Sequence, residues 1–280
     1  MEQERDGIRM KKLVALFLGL AAPFAAPAVA HEFWLEPLAY QVPSDGSLQA
    51  EIVNGQKFTG VKLAYLNQRI LRYEAWLGDN VNEITMRNGD TPGLQTEPVG
   101  DGLNVVVYQS SVSTVSYESW EKFQSFVEHK DLPATHEAHL AAGFPDADFK
   151  EAYARFSKTL IGVGDAAGSD ARRGLETELV ALSNPYVDDL TEGFKVQLFY
   201  QFDPRPDTQI EVFDKSADGS VTVTTTRTDA NGVASIPVTA GHSYMLDAVY
   251  LRAPSPDLAA ETGAIYETLW ANLTFAVPKD

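Results

Sequence analysis

The sequence predicts a mainly β protein: two β-sandwich-like regions, the C-terminal one immunoglobulin-like, with a helical insertion in or after the first. Three observations carry this expectation. Short runs of alternating apolar and polar residues recur on both sides of the chain's middle, separated by Gly, Asn and Asp turn residues. Between them Trp120, Phe123, Phe126 and Val127 fall at helical spacing. The chain has no cysteine, so apolar cores rather than disulfides must hold it together, and about 250 residues beyond the leader are ample for that.

The leader comes first. Leu13 to Ala30 is almost wholly apolar, follows Lys11 and Lys12, and ends Ala28-Val29-Ala30, the pattern of a secretory signal peptide with a small-residue cleavage site. Cleavage after Ala30 makes His31 the first residue of an exported, periplasmic chain. Pro23 and Pro27 argue against a membrane anchor. Met1 to Arg9 carries three acids and two bases, unlike the start of a signal peptide, whereas a start at Met10 gives the usual Met-Lys-Lys. No apolar run after residue 30 approaches a membrane span, so the processed protein is expected not to insert into a membrane.

A first domain is expected over residues 31–190. Its strands read as Phe33 to Leu35, Val61 to Leu66, Glu83 to Arg87, Leu103 to Tyr108 and Val112 to Tyr117. The insertion, about residues 119–161, reads as two or three helices. Its parts are the Trp120 to Val127 stripe, an alanine-rich stretch from Ala134 to Ala142, and a second stripe of Phe149, Tyr153, Phe156 and Leu160. Asp148 followed by Glu151 resembles a capping box for the last helix, and Gly162 and Gly164 would stop it. After a connector from Gly164 to Gly174, a second domain over residues 191–280 shows six runs of strand pattern. They are Phe194 to Phe202, Gln209 to Phe213, Val221 to Thr226, Val233 to Val238, Tyr244 to Leu251 and Leu269 to Val277. Six strands with turn signals at regular spacing are the mark of an immunoglobulin-like sandwich.

Charge narrows the partners. Removing residues 1–30 takes away three acidic and four basic residues, leaving 36 acidic and 18 basic and a formal net charge of −18. Such a surface repels phosphate backbones, which excludes nucleic acid as a partner, and it attracts cations. Acidity also keeps an exported protein soluble.

A metal ion is the cation the residues favour. With a free terminus, His31 offers two nitrogen donors from one residue, the α-amine and the near ring nitrogen. The amine's pKa of about 7.7–8.0 lets it deprotonate far more readily than a lysine. A second histidine would complete a histidine brace, and nitrogens near one plane suit Cu(II) or Ni(II). His129, His136 and His139 fall within eleven residues, and the last two share a helix face. They are the expected further ligands, with Glu32, Glu36 or Glu128 as possible oxygen donors. Each could equally be an ordinary polar surface residue, and His242, after Gly241, reads as a turn residue. Thiolates are excluded, and only Met86 and Met245 follow the leader, so a soft, methionine-rich site is excluded too. The expected cargo is therefore a divalent transition metal, Ni, Co or Cu.

Enzyme motifs are scarce. No Gly-x-Ser-x-Gly, phosphate-cradling glycine loop or His-Glu-x-x-His occurs; His136-Glu137-Ala138-His139 lacks one spacer and so the i, i+4 geometry of a zinc protease. Asn272-Leu273-Thr274 fits a glycosylation sequon inside an expected buried strand.

The segments HEFWLEP, DFKEAYARFSKTLIGVG, ETELVALSNPY, TDANGVASIPV, YMLDAVYLR and ETLWANLTFAVP together resemble a family of exported bacterial proteins. That family is described as the periplasmic component of cobalt or nickel uptake systems, and otherwise as a domain of unknown function. The resemblance implies a periplasmic protein of two β-rich regions that binds a transition-metal ion and hands it to a membrane metal transporter. It maps the exported start onto His31 to Pro37 and the helical histidine segment onto His129 to Gly143. Two other readings stay open: a metal-free interaction or carbohydrate-binding module, and a copper-dependent oxidase with an N-terminal histidine brace, for which Trp34 and Tyr40 would have to form a flat binding face.

Overall fold

The computed structural model describes residues 31–279. The leader expected over residues 1–30, and with it the cleavage site, lies outside the described residues. The chain enters as β1 (Glu32–Pro37), whose aromatic EFWLEP sequence is buried on both faces. After the short β2 (Gln41–Val42), β3 (Leu48–Gln56) alternates buried and half-buried residues, as a strand covered mainly on one face should. It turns into β4 (Thr59–Leu63) through Lys57 and Phe58, both at positive φ, the mirror-image turn that matches the right-handed twist of a hairpin. Gly55 and Gly60 face each other across it, and a Cβ on Gly55 would stand 2.1 Å from the Thr59 carbonyl oxygen.

Next come β5 (Ile70–Leu77), β6 (Asn80–Glu83), β7 (Leu94–Thr96), β8 (Gly102–Ser110) and β9 (Ser113–Tyr117). The two expected helices follow. α1 (Trp120–His129) buries Trp120, Phe123, Phe126 and Val127, the stripe that predicted it. α2 (His136–Ala141) is capped by the Thr135 hydroxyl, which accepts from the Ala138 N–H.

The third expected helix is a strand, so the helical insertion ends at Ala141 rather than near 161. β10 (Phe149–Val163) runs for 15 residues and is buried on both faces over almost its whole length. Phe149, Tyr153, Phe156 and Leu160 sit at helical spacing, but Ala152, Ser157, Lys158 and Thr159 between them are buried as well. A strand covered on both sides loses its alternation, and where buried charged and polar residues such as Glu151, Arg155 and Lys158 break the apolar pattern, the apolar remainder can fall at a 3–4 spacing by accident. Asp148 is no helix cap; it turns the chain with φ of 56°.

The remaining elements are β11 (Thr177–Ala181), β12 (Phe194–Tyr200), β13 (Asp203–Pro204), β14 (Gln209–Lys215), β15 (Val221–Arg227), β16 (Val233–Ile236), β17 (Ser243–Arg252), α3 (Pro256–Thr262) and β18 (Ala264–Ala276). The six expected strands of the second half are all present. α3, with the Ser255 hydroxyl at its start and Gly263 at its end, was not expected.

One sheet organises the molecule. Its order is β15-β14-β17-β18-β10-β8-β5-β6, with β2 and β9 also pairing with β10, and β10 and β18 run parallel. Strands from both sides of residue 190 therefore share it. One face packs on the β11, β12, β13 and β16 sheet through Phe156, Leu160, Val196, Leu198, Leu246 and Phe275. The opposite face carries the β1, β3, β4 and β7 sheet at one end and the two helices at the other. Two sandwiches thus lie back to back on a common layer.

On that second face the registers align a row of buried polar residues. Glu211 sits opposite Asp247, Asp247 opposite Asn272, and Asn272 opposite Ser157. Burying four such groups in one row is costly unless something pairs them, and what pairs them defines the site.

Candidate functional site

Glu32, the first residue of β1, is drawn over this row by the packing of Trp34, Val53 and Phe58 on Phe213 and Met245. It is 4% exposed. The same row receives Lys130, the residue that ends α1, because the aromatic stripe of α1 docks on Trp270 and Val249. The Lys130 ammonium reaches Glu211, Asp247 at 3.0 Å and Glu32 at 3.4 Å, and lies 4.8 Å from the centre of the Trp270 ring. Three chain-distant carboxylates thus converge on one buried cation.

The electrostatics follow from burial. Desolvation raises the Glu32 carboxyl to about 7, against the pull of Lys130 and with help from Asp247 and Glu211. Burial by itself would depress Lys130, but the attraction of Asp247, Glu211 and Glu32 outweighs it and holds the ammonium above its ordinary value. Arg155 adds a second cation: its Nη2 donates to the His31 carbonyl at 2.7 Å while its guanidinium lies 4.0 Å over Trp270. Burial lowers the Arg155 pKa. The pairing is incomplete. Asp247 Oδ1, Arg155 Nη1 and Asn272 Nδ2 are buried without partners.

A second buried cluster on the other face shows what full satisfaction looks like. Lys158 binds Asp170 at 2.7 Å and Glu178 at 3.0 Å. Asp170 also accepts from the Ala171 and Ala181 N–H groups, and Glu178 from those of Arg173 and Leu175. That cluster pins the 164–174 connector, with every carboxylate oxygen engaged.

The expected metal ligands separate into two groups. His31 is exposed, immediately before Glu32, with its backbone held by Arg155. His129 immediately precedes Lys130; its Nε2 lies 2.8 Å from Glu211 Oε1, and its carbonyl accepts from Gln209 at 2.9 Å. Glu32 and Lys130, the residues that follow His31 and His129, meet in this cluster through their side chains.

His136 and His139 go elsewhere. The His136 ring stacks on Trp120 at 5.1 Å and pairs with Asp146. His139 is buried, with Nε2 at 2.8 Å from the Pro145 carbonyl and Nδ1 at 3.0 Å from the Tyr266 hydroxyl. A carbonyl only accepts, so Nε2 carries the proton and the tyrosine donates to Nδ1; no ring nitrogen is left for a metal. His242 pairs with Asp214 at 2.6 Å. Among the oxygen donors considered, Glu36 binds Lys215 at 2.7 Å and Glu128 accepts from Gln124, while Glu32 alone enters the cluster. Trp34 is fully buried and the Tyr40 hydroxyl is buried, so neither forms a flat exposed binding face.

Among the described residues no three His, Asp or Glu side chains form a metal-ligand group. A terminal-amine chelate requires only two residues, because the first supplies both amine and ring nitrogen. His129 lies 2.8 Å from Glu211, and His31 directly precedes Glu32 of the cluster. Lys130, Arg155, Glu211 and Asp247 were missed from the sequence. For Glu211 and Asp247 the signal was there, in the carboxylates that interrupt the apolar runs Ile210-Glu211-Val212-Phe213 and Met245-Leu246-Asp247-Ala248-Val249.

A back-to-back β-sandwich carrying a buried charge cluster at its N-terminal strand is the class the geometry defines. The chain belongs to the family described as a domain of unknown function, DUF4198, whose model matches residues 28–252. A comparison with curated proteins finds no match.

Proposed function

We propose that the protein is a periplasmic transition-metal-binding protein, taking Ni, Co or Cu(II) as cargo for a membrane metal transporter, and that His31 and His129 hold the ion. The observation that carries this reading is the contact of Glu32 with Lys130 at 3.4 Å. It brings the residue after His31 against the residue after His129, 98 positions along the chain. Once export frees the His31 amine, that residue supplies two nitrogens and His129 a third, while Glu211 offers an oxygen. Arg155 holds the His31 backbone in place, and the acidic surface draws cations toward the site. His136 lies away from this cluster, stacked on Trp120, and His139 has both ring nitrogens committed.

The test is a titration of the processed protein with Ni(II), Co(II) and Cu(II), beside the same chain with one extra alanine before His31 and beside His129→Ala. Both changes should weaken binding of the preferred ion by about tenfold or more, since each removes a donor. Equal affinity in the extended chain would remove the terminal-amine chelate. Equal affinity in His129→Ala would remove the second ligand.

A further inference from the structure

A second site lies next to the charge cluster. Between the turn that follows α1 and the end of β17 is a cavity of about 340 Å³, whose walls include Pro133, Tyr200, Arg205, Tyr250 and Leu251. Its inner wall is an uncovered strand edge. β14 runs beside β17 only from Lys215 opposite Ser243 to Glu211 opposite Asp247, so the last residues of β17 have no strand on that side. Arg205 stands where the strand is missing. Its Nη2 donates to the Val249 carbonyl at 2.9 Å, and its guanidinium lies 4.9 Å from the centre of the Tyr250 ring, which stacks on Tyr200 at 3.9 Å.

The charge of Arg205 is unbalanced. Its Nη1 is buried with no partner. The other cations of the wall are already neutralised: Lys130 by its three carboxylates, and Arg227 by Asp131 and Asp207 at 2.5 and 2.7 Å. Asp203, also in the wall, makes no ion pair with Arg205. Desolvation without a counter-ion brings the Arg205 pKa down to about 10. A half-buried guanidinium lined by aromatic and proline rings calls for one negative charge attached to an apolar body. A multiply charged anion is disfavoured by the formal net charge of −17 on the chain.

We propose that this cavity binds a small organic monocarboxylate, its charge on Arg205 and its apolar body between Pro133, Leu251 and the Tyr200–Tyr250 stack. Nothing in this site uses His31 or His129, so it stands whether or not the metal reading does.

Benzoate and benzamide test it, being alike in size and flatness and differing in charge. The processed wild-type protein, at constant chloride, should bind benzoate saturably and at least about tenfold more tightly than benzamide, because a carboxylate supplies the counter-ion that the guanidinium lacks and an amide does not. Saturation transferred between the benzoate ring and tyrosine protons should be lost in Tyr250→Leu. Arg205→Gln should bring benzoate down to the level of benzamide. If Arg205→Gln does not fold, the wild-type comparison and the saturation transfer decide alone. Absence of saturable benzoate binding below about 20 mM, equal binding of benzamide, or unchanged benzoate affinity in folded Arg205→Gln would each overturn the proposal. A guanidinium that only caps the strand edge gives the last of these together with a lowered melting temperature.

Discussion

Replacing Lys130 by methionine keeps the aliphatic stem in its apolar bed and deletes only the ammonium. The magnitude follows from its surroundings. The side chains of Lys130, Glu211 and Asp247 are 3%, 2% and 1% exposed, so water does not screen the charges left behind. Glu32, the third carboxylate, is buried too. Removing one partner from a buried ionic cluster costs about 3–5 kcal/mol, since the desolvation of the remaining charges is no longer offset. In a chain of this size that corresponds to a fall in melting temperature of about 6–20 °C. Thermal and urea unfolding of the processed, metal-free protein at pH 8 measure it. The loss should shrink as pH is lowered and the orphaned carboxylates take up protons. It should also shrink when Glu211→Gln and Asp247→Asn are added, because a neutral cluster of the same shape has little charge left to desolvate. A Lys130→Met protein that melts within about 2 °C of wild type at pH 8 would refute the claim that this ammonium holds the three carboxylates.

Two further outcomes follow from the same reasoning. His139→Asn should destabilise the protein by about 1–3 kcal/mol, the cost of leaving buried polar partners unpaired, while the affinity for Ni(II) or Cu(II) stays at the wild-type value; a loss of metal affinity in the folded variant would return His139 to the ligand set. Glu151 is raised above its ordinary 4.5, chiefly by burial, so the folded state holds its proton to a higher pH than the unfolded chain does. Its contribution is complete below about pH 4.5 and is lost as pH rises through the folded value. Urea midpoints across pH 4 to 8 should therefore show Glu151→Gln, which keeps the shape beside Thr268 and Tyr117, gaining on wild type as pH rises. A difference independent of pH would contradict the shift.

Much of the architecture was legible in the residues. The α1 stripe of Trp120, Phe123, Phe126 and Val127 declared both the helix and its buried face, because a helix exposed on one side repeats its apolar residues every three to four positions. The six strands after residue 190 were legible as short runs between turn residues, although β14, β17 and β18 are buried on both faces over much of their length. β10 was misread because it is covered on both faces, which erases the period. β3, β5 and β11 were passed over entirely. In β3 and β5 the polar Gln49, Glu51, Arg72 and Glu74 alternate with buried apolar residues, so their period was present in the sequence and was overlooked.

The candidate site divides along the same line. Composition determined by itself that the chain is acidic and lacks thiolates, since these depend on covalent order alone. Which histidine lies beside the charge cluster was decided by tertiary structure. His136 and His139 looked the better pair because helical spacing is visible in sequence, yet Tyr266, 127 residues away, takes one nitrogen of His139. His129 precedes the Lys130 that Glu32 meets, and Arg205 was left without a counter-ion by the point at which β14 leaves β17. Partnerships of this kind arise from strand register and from the competition of buried groups for one another, and neither is written at any single position of the chain.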